Sequence, residues 1–544
     1  MMTWLRENER LALAIGWVVL ASVLIGLAAA ATGPGMLYDE AWLAQQGRAF
    51  VEPTREGLMP PGTQKTWLFG RPFPLFALPY LGALKSQLLI APLAVFGNEL
   101  STTRFATLAI ALAALLATMQ VARRVFGLRV ALGAGVLLAA DPTVFFHAQW
   151  EWGPFTTGWL CRALGALLLW NGYRQERVVS ILAGGFALGL GVYNRADFLL
   201  IGAATVLGLA IFHGPALREI ARRRSGELAG ASALFLLGAL PMFLNAPRVL
   251  GTFGELTTRG DFGERVRTLL STLDGSYAYR LMDAGGRYDA LAGVEGAPIA
   301  LLGAATVVAV VLGGIEIARS GLRSLRDGRG VLGVAVVGIA LAMLGLRGAT
   351  RAHHMLNLVP FVHLLVAAQL FREFDRGGWR RGLAVTASIA LVASSAISIG
   401  ATRGLIERTG GRGWWSDAID PLARELEAEP GAVAVSFDWG FHLPLLFATS
   451  QLPVLEPYWK VSDALMARGQ WSLAGTPQHV YLVHDAPYDR FGYGPHLLAA
   501  ARALGERARI RVHRDREQQP AFYSVRIAQP HQLRIDRSGF HFDL

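Results

Sequence analysis

Cysteine is almost missing from this chain of 544 residues, with Cys161 its single occurrence. One thiol allows no intrachain disulfide and no cysteine-based zinc site. Lysine is nearly as scarce: Lys65, Lys85 and Lys460 are the three lysines among 51 basic residues. Arginine is therefore the default cation, and a lysine is the more notable of the two. Charge is thin overall, at 17% of residues against 53% hydrophobic; an ordinary soluble domain carries about 25% charged residues. That balance excludes a disordered chain, whose signature is low hydrophobicity, and argues against a soluble enzyme of several domains. No phosphate-binding glycine loop, zinc-ligand helix, Gly-x-Ser-x-Gly elbow or internal repeat occurs in the sequence. A net charge of +11 in so apolar a chain fits loops oriented at a membrane, not nucleic-acid binding.

What the chain does have is long apolar runs, at roughly 11–31, 74–97, 104–121, 129–146, 154–171, 178–193, 197–212, 228–245, 297–318, 331–346, 355–371 and 382–401. A spanning helix needs about 20 such residues. Asn194, Arg195 and Asp197 split 178–212, which predicts two short helices meeting at a polar elbow. The connections at 123–129, 173–177, 218–224, 319–329 and 372–381 are rich in arginine, and the positive-inside rule assigns them to the cytoplasm. With Arg6 and Arg10 also inside, an even number of crossings must precede Arg123. Run 74–97, which holds Pro74, Pro79, Lys85 and Pro92, then does not cross and is expected as a broken helix on the outer surface.

The expected fold is an α-helical polytopic membrane protein of about eleven spans, residues 1–401, with outer loops 32–103 and 246–296. An extracytoplasmic soluble α/β domain, 402–544, follows. The amino end lies inside and run 11–31 is an uncleaved anchor, its apolar stretch exceeding a signal-peptide core. The expected location is the inner or plasma membrane of the cell. In the carboxyl domain, 433–437 and 480–483 read as buried strands, and 417–428 and 495–507 as helices. His442 and His484 are expected in structural roles, and no catalytic constellation is visible there.

Polar groups beside spans are functional candidates, and here they share one side. They are Tyr38-Asp39-Glu40, Lys85, Glu151 within His147–Pro154, the elbow at Asn194-Arg195-Ala196-Asp197, and Arg351-Ala352-His353-His354. Each has an ordinary alternative. Asp39 and Glu40 could cap a helix starting at Ala41. Glu151 could be a solvated loop residue, with Trp150 and Trp152 as interfacial anchors. Asp141-Pro142 reads as a helix restart. Adjacent histidines point apart on a helix, whereas a zinc pair prefers a wider spacing.

In these residues the chain resembles the polyprenyl-phosphate-dependent membrane glycosyltransferases of the GT-C fold. It looks nearest to glycosyltransferase family 39, with the protein O-mannosyltransferases and lipid A aminoarabinose transferases. The resemblance covers roughly residues 10–400. It rests on the acidic pair Asp39-Glu40, the segment Tyr80–Lys85 through Pro92 to Gly97, the span ending at Ala122–Gly127, and Glu151-Trp152-Gly153-Pro154. Asn194–Phe198 and Arg351–His354 ahead of Pro360 complete it. Two departures stand out: many relatives carry an aspartate at the position of Glu151, and a Lys-Pro-Pro-like segment where this chain has Lys85-Ser86-Gln87.

The resemblance implies a sugar donor on a polyprenyl phosphate or diphosphate, drawn from the membrane lipids, and an acceptor hydroxyl on an unspecified lipid, glycan or protein. Asp39 would be the general base, with Glu40 the second choice. Lys85, Arg195 and Arg351 would stabilise the leaving phosphate, with His353 and His354 as hydrogen-bond donors. Glu151 and Tyr38 would orient substrate. A single displacement inverts the anomeric carbon. No cofactor is required, and a divalent metal is possible without being demanded. The other class considered is a polytopic transporter or lipid flippase, whose cues are internal repeats and polar groups at the bilayer midplane.

Overall fold

The computed structural model describes residues 33–544 apart from 55–56, 257–260, 347–350 and 537–538, together with Leu13, Gly16, Trp17, Leu20 and Ala21. The expected first span, 11–31, therefore lies largely outside the described residues, as do residues 347–350 just ahead of Arg351. Among the described residues, five helices are long and apolar enough to cross a membrane: Leu100–Phe126, Phe198–Arg223, Ser225–Leu244, Leu302–Ser320 and Gly378–Thr409. A bent pair, Ala352–Leu358 with Phe361–Asp375, makes a sixth if counted as one span. Shorter apolar helices, Leu128–Ala140, Val178–Asn194 and Arg329–Gly345, pack among them.

Close helix contacts follow from small residues, as in other membrane bundles. A Cβ at Gly185 or Gly189 would collide with the carbonyls of Ala231 and Phe235. This lets helix Val178–Asn194 lie directly against Ser225–Leu244. The elbow is present: Val178–Asn194 ends in Arg195, whose backbone is extended, and Phe198–Arg223 begins after Asp197. Its second arm is longer than expected and bends at His213, just before Pro215. Asp141 restarts the chain as a helix cap, accepting from the Thr143 and Val144 amides, with Pro142 in the first turn. Its other oxygen meets His363 Nε2 at 2.8 Å.

Segment 74–97 differs from the expected broken helix. Its first part belongs to a three-stranded antiparallel sheet, Gln64–Leu68, Arg71–Leu78 and Leu81–Gly82. Pro72 and Pro74 interrupt helical hydrogen bonding but fit a strand of a small sheet. Only Leu84–Phe96 is helical, and its 13 residues cover about 20 Å at 1.5 Å each, short of a bilayer core of about 30 Å.

Helix Gly378–Thr409 runs past residue 401 into the carboxyl region. There a five-stranded mixed sheet has the order Val454–Leu455, Val433–Ser436, His479–His484, Pro520–Ile527, Ala508–Arg514. Its first three strands are parallel and the last two pairings antiparallel. Helices Ile419–Ala428 and Tyr493–Ala503 accompany it, near the expected positions. The apolar core does not stop at the bundle. Trp150 and Trp152, for which interfacial anchoring is the ordinary alternative, are instead each 1% exposed and meet Trp415 edge-on at 5.9 and 5.5 Å. Burying such large rings is worth more than leaving them at an interface. Arg48 adds polar ties, donating to the Leu446 and Phe447 carbonyls at 2.8 Å.

Candidate active site

The helices of the bundle give it two unlike ends. Helix Leu100–Phe126 has Arg104 in its first turns and Arg123 and Arg124 in its last, about 30 Å apart at 1.5 Å per residue. Val178–Asn194 starts beside Arg177 and finishes at the Arg195 elbow, and Phe198–Arg223 runs back to Arg222 and Arg223. Arg329–Gly345 likewise leads away from the arginine-rich end toward Arg351. The candidate residues therefore gather at one end of the bundle, under the carboxyl region.

Asp39 and Glu40 lie in the first turn of helix Tyr38–Val51, whose amino end has no side-chain cap. They do not share a role. Glu40 is buried and takes a bidentate grip from Arg104, at 3.0 and 3.1 Å; Arg104 also donates to the Pro34 and Gly35 carbonyls. Asp39, on the other face of the turn, is partly exposed. Burial lifts its carboxyl to about 6, although Arg490 and Arg351 nearby pull the other way. Tyr80 lies within electrostatic reach of Arg195, Asp39 and Asp197 alike, which joins the helix to the elbow. An isolated bridge between Leu81 and Arg195 ties the same two segments.

The other predicted residues come together as pairs. Lys85 Nζ meets Glu151 Oε2 at 2.6 Å and Thr107 Oγ1 at 2.7 Å, and both charges are almost wholly buried. Glu151 also accepts from the Thr156 amide, and from the Thr156 hydroxyl at 2.7 Å. Glu151 is thus no solvated loop residue. Arg195 forks onto Asp197, with Nε to Oδ1 at 2.7 Å, and its Nη1 donates to the His353 carbonyl at 2.9 Å. Asp197 is held further by Asn357 Nδ2 at 2.8 Å. His353 and His354 stack at 4.3 Å between ring centroids, and the loop glycine Gly153 abuts His353. Arg351 is held more loosely: it reaches Glu264 at 3.3 Å, both side chains partly exposed, and lies 3.6 Å above the Tyr288 ring. Among the described residues no group of three His, Cys, Asp or Glu side chains forms a metal-ligand set.

The carboxyl region, which offered no site residue in sequence, supplies one wall. Tyr38 donates to Glu456 Oε1 at 2.9 Å, and Tyr458 donates to the same oxygen at 2.6 Å. His442 Nδ1 lies 3.3 Å from the other oxygen of Glu456. The Tyr38 ring packs on Trp439 at 4.8 Å. Arg490 lies over Trp439, Trp414 and Phe491 at 5.6, 5.9 and 5.8 Å. No spacing in the sequence links these residues to Asp39; only the chain's return over the bundle does. His484 is structural as expected, paired to Asp438 at 2.8 Å. A polar groove in the carboxyl region is lined by Asp417, Arg424, Arg511 and Arg516.

No protein-family model and no curated protein matches the sequence. Solved structures do match in fold. ArnT from Cupriavidus metallidurans, in the apo state, is 14% identical over 94% of this chain and 98% of its own, with a TM-score of 0.53. Its structure bound to undecaprenyl phosphate gives 0.54 at the same identity and coverage. The archaeal oligosaccharyltransferase AglB from Archaeoglobus fulgidus, solved with an inhibitory peptide and a dolichol-phosphate, is 12% identical over 84% of this chain and 65% of its own, with a TM-score of 0.51. The protein therefore has the GT-C fold of an integral membrane protein, with a carboxyl-terminal α/β region.

Proposed function

We propose that the protein is a membrane glycosyltransferase that moves a sugar from a polyprenyl-phosphate or diphosphate donor to an acceptor hydroxyl. The observation that carries this reading is the contrast around Asp39. Among the described residues it is a partly exposed carboxylate with no ion pair, set beside the buried pairs Glu40–Arg104, Lys85–Glu151 and Arg195–Asp197 and within reach of two arginines. The fold adds support, because ArnT and AglB were solved with undecaprenyl phosphate and dolichol-phosphate respectively.

In this mechanism Asp39 takes the proton of the acceptor hydroxyl as its oxygen attacks the anomeric carbon. The bond from that carbon to the phosphate oxygen breaks, and the configuration inverts. Negative charge grows on the departing polyprenyl phosphate and is met by fixed cations. Arg351 is the cation best able to do this. Its contact with Glu264 is partly exposed, and such pairs are worth only about 0–1 kcal/mol, so an arriving phosphate can replace it. Arg195 keeps its fork on Asp197 and, with His353 and His354, shapes the phosphate side. Lys85 and Glu151 support the site from beneath as a closed pair, and Tyr38 fixes the helix that carries Asp39. The arginine-rich connections at the other end support an extracytoplasmic position for the site end.

Sugar transfer is tested with membranes containing the full-length protein and a radiolabelled polyprenyl-phosphate sugar. The expected result is label on an acceptor together with release of free polyprenyl phosphate. A transporter or flippase would move intact labelled donor across sealed vesicles without breaking the sugar–phosphate bond, and that outcome would overturn the proposal.

A further inference from the structure

Arg490 sits in the loop between strand His479–His484 and helix Tyr493–Ala503. The loop is fixed from within. The Arg490 amide donates to both oxygens of the fully buried Asp438, at 3.1 and 3.2 Å. Asp489 accepts from the amides of Phe491, Gly492 and Gly494 at 3.2, 2.9 and 2.7 Å. The Arg490 side chain is exposed. Its guanidinium rests over Trp414, Trp439 and Phe491, and no carboxylate pairs with it among the described residues.

This is an unusual way to hold an arginine beside a reacting carboxylate. Ring faces attract the cation without occupying its N–H groups, so the planar fork stays available for a bidentate anion. Trp439 connects it to the site, for the same indole packs on Tyr38, the residue before Asp39. The direction of approach distinguishes it from the other cations. Arg195 and Arg351 cap helices of the bundle, the side from which the proposed lipid-linked donor would approach. Arg490 comes from the α/β region and lies within electrostatic reach of Asp39.

We propose that Arg490 is the acceptor-recognition residue: it binds an anionic group, phosphate or carboxylate, carried by the acceptor near the hydroxyl that Asp39 deprotonates. This rests on the glycosyltransferase reading above and narrows its acceptor to an anionic one. Because the loop is anchored through backbone amides, Arg490→Gln removes the fork and leaves the anchoring bonds in place.

The test has two measurements on the full-length protein. In membranes holding native acceptor and a labelled polyprenyl-phosphate sugar, Arg490→Gln should cut label transfer by about tenfold or more, the scale of a lost charge-assisted hydrogen bond; Arg490→Lys should restore part of it. Purified Arg490→Gln protein should bind undecaprenyl phosphate as wild type does. Inorganic phosphate or acetate should compete with transfer by wild type and lose that effect in the variant, and whichever competes names the anion. Transfer near the wild-type rate overturns the proposal, as does competition by neither ion. Weakened undecaprenyl phosphate binding in the variant also overturns it, by assigning Arg490 to the donor. Failure of wild type itself to transfer label sinks the glycosyltransferase reading instead.

Discussion

At the arginine-rich end of the bundle, Glu316 is shared by Arg329 at 3.2 Å, Arg376 at 3.8 Å and Arg372, while Asp327 takes Arg329 at 2.8 Å and Arg372 at 3.2 Å. Many of these side chains are partly exposed. At the opposite end three ion pairs are buried: Glu40 with Arg104, Glu151 with Lys85, Asp197 with Arg195. Redundant surface networks tolerate loss of a member, because each pair is weak in high dielectric. Buried single pairs do not, since removing one partner strands a desolvated charge. Among the described residues at that end, Asp39 and Arg490 have no ion pair and stand out against these buried pairs.

The largest expected effect separates the adjacent acids. Asp39→Asn should lower turnover about 10²–10⁴-fold, the usual range for a general base, with the thermal midpoint unchanged or raised. Glu40→Gln should instead lower the midpoint by weakening the grip of Arg104. Turnover per folded molecule and a melting curve of each variant check this. Near-normal turnover for Asp39→Asn would falsify its role as base.

Lys85→Met should come next, destabilising the protein by about 3–5 kcal/mol because Glu151 is left buried and uncompensated. Adding Glu151→Leu should recover much of that loss. Denaturant unfolding in detergent measures both. Failure of the second change to recover stability would show that the pair is not the closed unit described here.

The raised Asp39 carboxyl makes a pH forecast. A base must be ionised, so turnover should fall as pH drops through about 6 and level off above it. The linkage sign is opposite for stability. A carboxyl whose folded pKa lies above its unfolded value favours the fold when protonated, and this contribution is lost as pH rises through the folded pKa. Wild type should thus gain stability relative to Asp39→Asn on acidification across that window. A pH–rate profile still flat well below 6 would break the assignment.

The smallest effect belongs to the other end. Arg372→Gln should cost no more than about 1 kcal/mol, the ceiling for a partly exposed pair, and leave transfer intact. A large loss of transfer would show that the two ends are coupled.

Much of this architecture is written in one dimension. Hydrophobic runs interrupted by arginine clusters mark the helices and their two ends, because a bilayer demands long apolar segments and sorts basic loops. The elbow at Asn194–Asp197 and the restart at Asp141-Pro142 are local events, legible from their own residues. The strands at 74–82 were not, since an apolar run with prolines carries no clear period to tell a small sheet from a broken helix.

Composition and order alone placed Asp39, Glu40, Lys85, Glu151, Arg195, Arg351, His353 and His354 at one end of a helical membrane protein. Sequence could not say which charges cancel, because Lys85 and Glu151 are distant in the chain and meet only through packing. Neither could it bring Glu456 and Arg490 from the α/β region to the helix bearing Asp39. Those contacts come from the carboxyl region folding back over the bundle and burying Trp415 against Trp150 and Trp152. Ionic roles depend on burial and on the nearest opposite charge, both properties of distances in space, and so the tertiary structure alone decided them.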